Sequence, residues 1–202
     1  MIARPWSKLR TDEGHLGGYR VDGPAKGTWC PAIWRKLIME IAPANMLDVG
    51  CGMGWVMHFF KMHGVATTGV DGSPSATRHN PEVVEWDYTK GRSPVEGVFD
   101  LVWSSEFAEH VDEQHADNFL NDFAKAKKML MVTAAKPEQE GHNHVNCQPP
   151  SYWIDKITKL GFTHNWNTTH RWRKMLSPPT IHGLGQPEGV HFRRNGLVFL
   201  RR

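Results

Sequence analysis

Apolar positions along this chain alternate between a helical and a strand-like spacing. Ile33, Trp34, Leu37, Ile38 and Ile41 recur at helical intervals after Pro31, and Pro43 ends the run. Met46-Leu47-Asp48-Val49-Gly50 is a short apolar strand that stops at glycines. Trp55 to Met62 predicts the next helix, closed by Gly64, and Val65 to Asp71 predicts a second strand. Pro74 opens a short helical turn, and Val83 to Trp86 predicts a weak third strand. Phe99 to Ser105 is a continuous apolar run, the kind found in a sheet covered on both faces. Ala116, Phe119, Leu120, Phe123 and Ala124 share one face of an amphipathic helix over 113–126. Met129 to Ala134 predicts a fifth strand, and Pro149 or Pro150 starts a helix that runs to Leu160 and is capped by Gly161. Phe162 to Trp166 and Leu197 to Leu200 predict the last two strands.

Strands that alternate with helices form βαβ units, so the fold class is α/β with a mainly parallel sheet. The last two strands lack a crossover helix unless the residues between them supply one, and they are most simply an antiparallel pair at one edge. The segment 168–195 contains Pro178, Pro179 and Pro187 and reads as a long insertion, not a second domain. Gly14, Gly17, Gly18, Gly23 and Gly27 make the first thirty residues a loop-like arm, either disordered or folded over a ligand as a lid. At 202 residues the whole chain, 1–202, is expected to be one domain.

The chemistry concentrates after the first strand, at Leu47-Asp48-Val49-Gly50-Cys51-Gly52-Met53-Gly54. Glycines there let the backbone turn sharply and approach a ligand. In a dinucleotide fingerprint the third glycine falls one position later, where this chain has Trp55. Asp48, next to the turn, repels phosphates and suits an ammonium or a sulfonium. Asp71 ends the second strand 21 residues after Gly50, a spacing that suits hydrogen bonds to ribose hydroxyls. Asp87 follows the weak third strand, placed to accept from an adenine amino group. The ligand that fits is S-adenosylmethionine.

These stretches resemble class I S-adenosylmethionine-dependent methyltransferases, in their small type 11-like branch. The matching segments are LDVGCGMG (47–54), TTGVDGSP (67–74), EWDY (85–88), FDLVWSSEFAEHV (99–111) and MLMVTAA (129–135). The segment 141–162 is similar to that of small bacterial and phage members. The resemblance implies a Rossmann-like three-layer sandwich with a seven-stranded sheet of order 3-2-1-4-5-7-6, its last strand antiparallel. It also implies that Gly50, Cys51, Gly52 and Gly54 line the methionine end of the cofactor and that Asp48 lies near its amino group. Asp71 takes the ribose, Asp87 and Tyr88 edge the adenine, and Ser104 to Glu106 face the transferring methyl. One position departs from the family. A bulky aliphatic often follows the ribose acid, but here the residue is Gly72, so either Trp86 or Tyr88 covers the adenine or the adenine site is looser than usual.

Methyl transfer to a hydroxyl needs a base, and Glu106, Glu109, His110 and His144 are the candidates, Glu106 the best placed. His142 and His144 lack a clear third ligand in the sequence, so no metal is expected. Trp103, Trp153 and Trp166 are expected in the core, whereas Trp6, Trp29 and Trp172 are candidates to line an acceptor pocket.

Residues 168–202 carry seven basic side chains against one acid, Glu188, while the first 167 hold 17 basic and 20 acidic residues. The basic excess could face an anionic ligand. The expected acceptor is therefore a small molecule or glycan hydroxyl, an anionic one included. Nucleic acid, through Arg171-Trp172-Arg173-Lys174, is the less favoured partner. A non-catalytic cofactor-binding subunit would show a degraded glycine turn, and this turn is intact. No apolar run approaches a membrane span and the N-terminus lacks a signal-peptide core, so a cytoplasmic location is expected. Cys30, Cys51 and Cys147 are odd in number with no C-x-x-C, which argues for reduced thiols.

Overall fold

The computed structural model describes residues 14–16, 25, 27–176 and 188–202. Most of the expected arm, Trp6 included, and residues 177–187 of the expected insertion lie outside the described residues. The strands are β1 (Asn45–Val49), β2 (Ala66–Asp71), β3 (Val83–Glu85), β4 (Phe99–Ser105), β5 (Ala126–Thr133), β6 (Phe162–His164) and β7 (Leu197–Arg201). They form a seven-stranded sheet of order β3-β2-β1-β4-β5-β7-β6. The first five strands pair in parallel. β7 enters antiparallel between β5 and β6.

The helices are α1 (Pro31–Ile41), α2 (Trp55–Lys61), α3 (Pro74–His79), α4 (Ala116–Phe123), α5 (Pro150–Thr158), α6 (Trp166–Met175) and α7 (Val190–Asn195). Successive strand residues point to opposite faces, and the central strands carry apolar side chains on both. Leu47, Val102, Leu130, Val132 and Phe199 join Phe119 and Phe123 of α4 and Trp153 and Ile157 of α5 in one core. Met46, Leu101, Trp103, Met129, Met131 and Val198 join Ile33, Trp34 and Leu37 of α1, Phe60 of α2, Trp172 of α6 and Phe192 of α7 in the other. The chain is therefore a three-layer α/β sandwich. No helix among the described residues is long and apolar enough to cross a membrane.

The segment 168–195 is not a plain insertion. Its first residues continue α6 and its last form α7, and both pack on the sheet beside β7. Strand β6 stops at His164 because the Asn165 side chain caps α6, accepting from the Thr168 amide at 2.9 Å. Trp166, expected in the core, consequently begins a helix on the surface and is 64% exposed. Trp172 is fully buried in the second core, not open to an acceptor or a base. Its neighbours are also engaged: Arg171 approaches Glu40 at 3.4 Å and Arg173 donates to the Gly196 carbonyl at 2.8 Å. Trp29 packs edge-on against Trp34, ring centroids 4.8 Å apart, and belongs to the same core. Trp103 and Trp153 lie in the core as expected.

The Trp103 ring sits between Trp34, at 6.0 Å, and Phe192, stacked at 6.1 Å. It ties α1 and α7 to the middle of the sheet. Trp103→Ala is expected to cost about 3–5 kcal/mol of unfolding free energy, seen as a lower urea midpoint at unchanged slope.

Candidate active site

The glycine turn is closed onto β2. The amides of Gly50 and Cys51 both donate to the Val70 carbonyl, at 2.8 and 3.1 Å. The Gly52 amide donates to Asp71 Oδ2 at 2.7 Å, and the Gly54 amide to the Cys51 carbonyl at 2.9 Å. Gly50 has φ +74°, and a Cβ there would fall 2.3 Å from the Phe107 ring, so only glycine fits. With these four amides spent on protein acceptors, the turn cannot present them to a diphosphate, which is held by free N–H groups.

What the turn offers is negative charge. Asp48 is buried at 2% exposure and its Oδ2 has no hydrogen-bond partner. Burial, and after it the Asp71 carboxylate, pushes the Asp48 carboxyl well above its ordinary value. A buried carboxylate without a donor is costly unless a cation meets it. Asp71 braces the turn: besides Gly52, it accepts from the Ser73 amide at 2.9 Å. The Cys51 thiol points away, packing with Met57, Ala76 and Val83, and burial pushes its pKa up. Cys51 thus serves the turn through its backbone. Ser104, at the end of β4, is fully buried, with a hydroxyl that has no partner.

Past the end of β2 stands a residue that the sequence did not single out. Gly72 lies under Leu16: a Cβ at Gly72 would fall 2.6 Å from Leu16 Cδ2. The space beside Gly72 is thus occupied by an aliphatic side chain of the N-terminal arm. Trp86 donates its indole N–H to the Gly91 carbonyl at 2.9 Å. Tyr88 is 3% exposed and donates its hydroxyl to Asp122 at 2.5 Å, which commits it to the core. Asp87 remains at the edge, 3.4 Å from His15 Nε2. Burial alone would raise the Asp87 carboxyl, but hydrogen bonds from Thr89 and the nearby His15 outweigh it and hold the carboxyl below its ordinary value.

Past β4 the chain makes a strained corner. Glu106 adopts φ +51°, with its amide shared between the carbonyl and hydroxyl of Thr133, at 2.9 and 3.0 Å. Its Oε2 lies 2.8 Å from Nδ1 of His191 on α7. Burial would raise this carboxyl, but His191 outweighs it and lowers it. Next comes a 3-10 turn, Ala108–His110. Glu109 is 0% exposed and its carboxylate oxygens make no well-formed hydrogen bond. Burial, then Glu106, drives its pKa well up. Burial, then His144, lowers His110 to about 4. The rings of His110 and His144 stand 5.0 Å apart. One ligand atom each from Glu109, His110 and His144 lie within 4.8 Å of one another. His142 is not in that group; the partners that His144 lacked in the sequence come from the turn after β4.

A doubly covered sheet of this order, with a closed glycine turn and a lone buried carboxylate at its edge, is the build of a class I methyltransferase. The model of a methyltransferase-domain family matches residues 25–184, and the chain belongs to that family. It is 27% identical over 184 residues to a ubiquinone biosynthesis O-methyltransferase of Rhodopseudomonas palustris, covering 81% of this chain and 65% of that protein. A protein of the same description from Maricaulis maris is 29% identical over 163 residues, covering 74% of this chain and 59% of the relative. The chain thus spans less than two-thirds of either relative's length. Among solved structures, a TehB-like SAM-dependent methyltransferase of Corynebacterium glutamicum superposes with a TM-score of 0.54 at 18% identity, covering 85% of this chain and 96% of that one. Magnesium protoporphyrin IX methyltransferase of Synechocystis, with SAH bound, gives 0.58 at 12% identity, covering 85% and 81%. These two structural likenesses are likenesses of fold.

Asp48 generates a test with a defined sign. Its folded-state pKa is raised above the unfolded value, so the ligand-free folded chain holds the proton to higher pH. Stability then falls as pH rises from the unfolded value of about 3.9 through the folded one. Asp48→Asn is expected to flatten that slope and to stabilise the ligand-free protein by about 1–3 kcal/mol at pH 8. The same change is expected to weaken S-adenosylhomocysteine binding about tenfold or more. Thermal scans across pH, with and without the ligand, measure both effects.

Proposed function

We propose that this chain methylates a hydroxyl of a small-molecule acceptor. The methyl donor is S-adenosylmethionine, which when bound supplies a methyl group on a positively charged sulfur that leaves as a neutral thioether. The observation that carries the reading is the buried Asp48 carboxylate, its Oδ2 unpartnered, beside a glycine turn whose Gly50, Cys51, Gly52 and Gly54 amides are already bonded to protein acceptors. Asp48 would hold the donor's amino group, and Gly50, Gly52 and Gly54 its methionine end. Asp71 would take the ribose. Asp87, Gly72 and Leu16 would border the adenine.

The protein's own work is to align the acceptor oxygen and exclude water. The hydroxyl proton must also be managed, and the groups for this stand at the carboxyl edge of β4 and β5, where open α/β sheets bind ligands. Glu106 is held ionised by His191 and orients the corner. His110 stays neutral at physiological pH and keeps an unpartnered Nδ1. His144 stands beside it. The names of the two curated relatives, both O-methyltransferases, support oxygen as the methylated atom. A glycan or anionic acceptor falls within the same proposal. A nucleic-acid acceptor is weaker, because the aromatic of the basic tetrapeptide is buried.

Calorimetry separates this reading from a dehydrogenase. S-adenosylhomocysteine is expected to bind with a stoichiometry near one, and NAD is expected to give no heat of binding. The reverse pattern contradicts the proposal. A homocysteine-release assay over hydroxylated acceptors then identifies the substrate.

A further inference from the structure

We propose that Glu109, His110 and His144 bind a divalent transition-metal cation, and that this cation holds the acceptor's oxygen. The inference rests on the methyl-transfer reading and deepens it by naming how the acceptor is held. Three observations converge on it.

The first is the donor set. One carboxylate oxygen and two imidazole nitrogens lie within 4.8 Å of one another. Two imidazoles and a carboxylate suit zinc, cobalt or manganese better than calcium, which prefers oxygens alone. Three protein ligands leave a coordination position open, as in catalytic and unlike structural sites.

The second is that the donors are aimed and idle. Glu109 is completely buried and its oxygens make no well-formed hydrogen bond; its own amide and that of Ala135 lie close enough to lower its pKa but do not offset burial. His110 Nδ1 is likewise buried without a partner. Such groups are normally satisfied, and an unpaired buried carboxylate beside two imidazoles is satisfied by a cation. Glu106 adds a second carboxylate nearby, its Oε2 paired with His191 and its Oε1 buried.

The third is a supporting frame. His144 Nδ1 lies 2.8 Å from the Gln139 carbonyl, so it carries the proton and donates it there, which leaves the lone pair on Nε2. A Cβ at Gly141 would fall 2.1 Å from that Nε2, so glycine keeps the nitrogen clear. The amides of Val145 and Asn146 both donate to the Glu109 carbonyl at 3.0 Å, and Asn146 Nδ2 donates to the Val111 carbonyl at 3.0 Å. The loop after β5 is thereby pinned to the turn after β4, and the donors from the two segments are held together before any ion arrives. Glu109 closes the inner side, while His110 and His144 are half-buried and leave the outer side open to an acceptor.

The test uses the full chain stripped of metal with a chelator and titrated with Co²⁺, read by visible d–d absorption and calorimetry. One Co²⁺ is expected per chain. Glu109→Gln and His144→Ala are each expected to weaken it about tenfold or more, whereas His58→Ala, on the exposed side of α2, leaves it unchanged. His144 is half-buried, so its variant carries the test should the buried Glu109→Gln fail to fold. S-adenosylhomocysteine binding, measured in parallel, is expected to survive in the folded variants. Absence of a Co²⁺ spectrum, or a spectrum of equal affinity in His144→Ala, overturns the cation site. Co²⁺ binding without S-adenosylhomocysteine binding leaves the site standing and overturns the methyl-transfer reading beneath it.

Discussion

The amides of Gly50, Cys51 and Gly52 close onto the end of β2, and that closure decides what the edge of the sheet can hold. With the Gly54 amide, which bonds the Cys51 carbonyl, four amides of the turn are taken up by protein acceptors and are not offered to a diphosphate. Beneath the turn a carboxylate is buried with one oxygen unpartnered. In a medium of low polarity this arrangement is stable only with the proton retained or with a cation brought in. Under the proposed reading the turn distinguishes one class of nucleotide from another through where its hydrogen bonds go. Phe107, resting on Gly50, ties the same turn to the corner after β4.

That corner carries the second constraint. Glu106 bends the chain in a left-handed conformation that the Thr133 carbonyl and hydroxyl hold in place. The bend delivers Glu109 and His110 to the loop that carries His144. Two β-α connections that are distant in sequence therefore share one cluster of ligand atoms at the carboxyl edge of the sheet. The electrostatic problem of an unpaired buried carboxylate appears twice at one edge of the sheet, at Asp48 and at Glu109. Under the proposed reading a sulfonium-bearing, amino-bearing ligand would meet the first, and a metal ion the second.

Much of this was legible in the residues, for local reasons. The parallel strands were readable because both of their faces are buried, which makes them short, unbroken apolar runs bounded by Gly or Pro; Phe99–Ser105 is bounded in the structure as the sequence predicts. The turn at 47–54 was readable because its chemistry lies within one strand–turn–helix unit. Helix α6 was hidden: only Thr169 and Trp172 of its ten residues are buried, and Trp172 is flanked by Arg and Lys, so no apolar stripe marks it. Trp166 was misplaced for the related reason that the Asn165 cap ends the strand earlier than its apolar character suggests. In the site, Leu16 on Gly72, His191 on Glu106 and Gln139 behind His144 join residues from distant segments. No periodicity encodes such meetings. The one local signal was negative, the absent side chain at Gly72, and it pointed to a missing cover without naming what supplies it.

The most direct measurement of the central claim is a crystal structure of the chain with S-adenosylhomocysteine. The account predicts the ligand's amino group within hydrogen-bond distance of the Asp48 carboxylate, with the amides of Gly50, Cys51 and Gly52 still bonded to β2. A ligand whose amino group lies elsewhere, with Asp48 still unpartnered, or a turn opened so that its amides face the ligand, would contradict it.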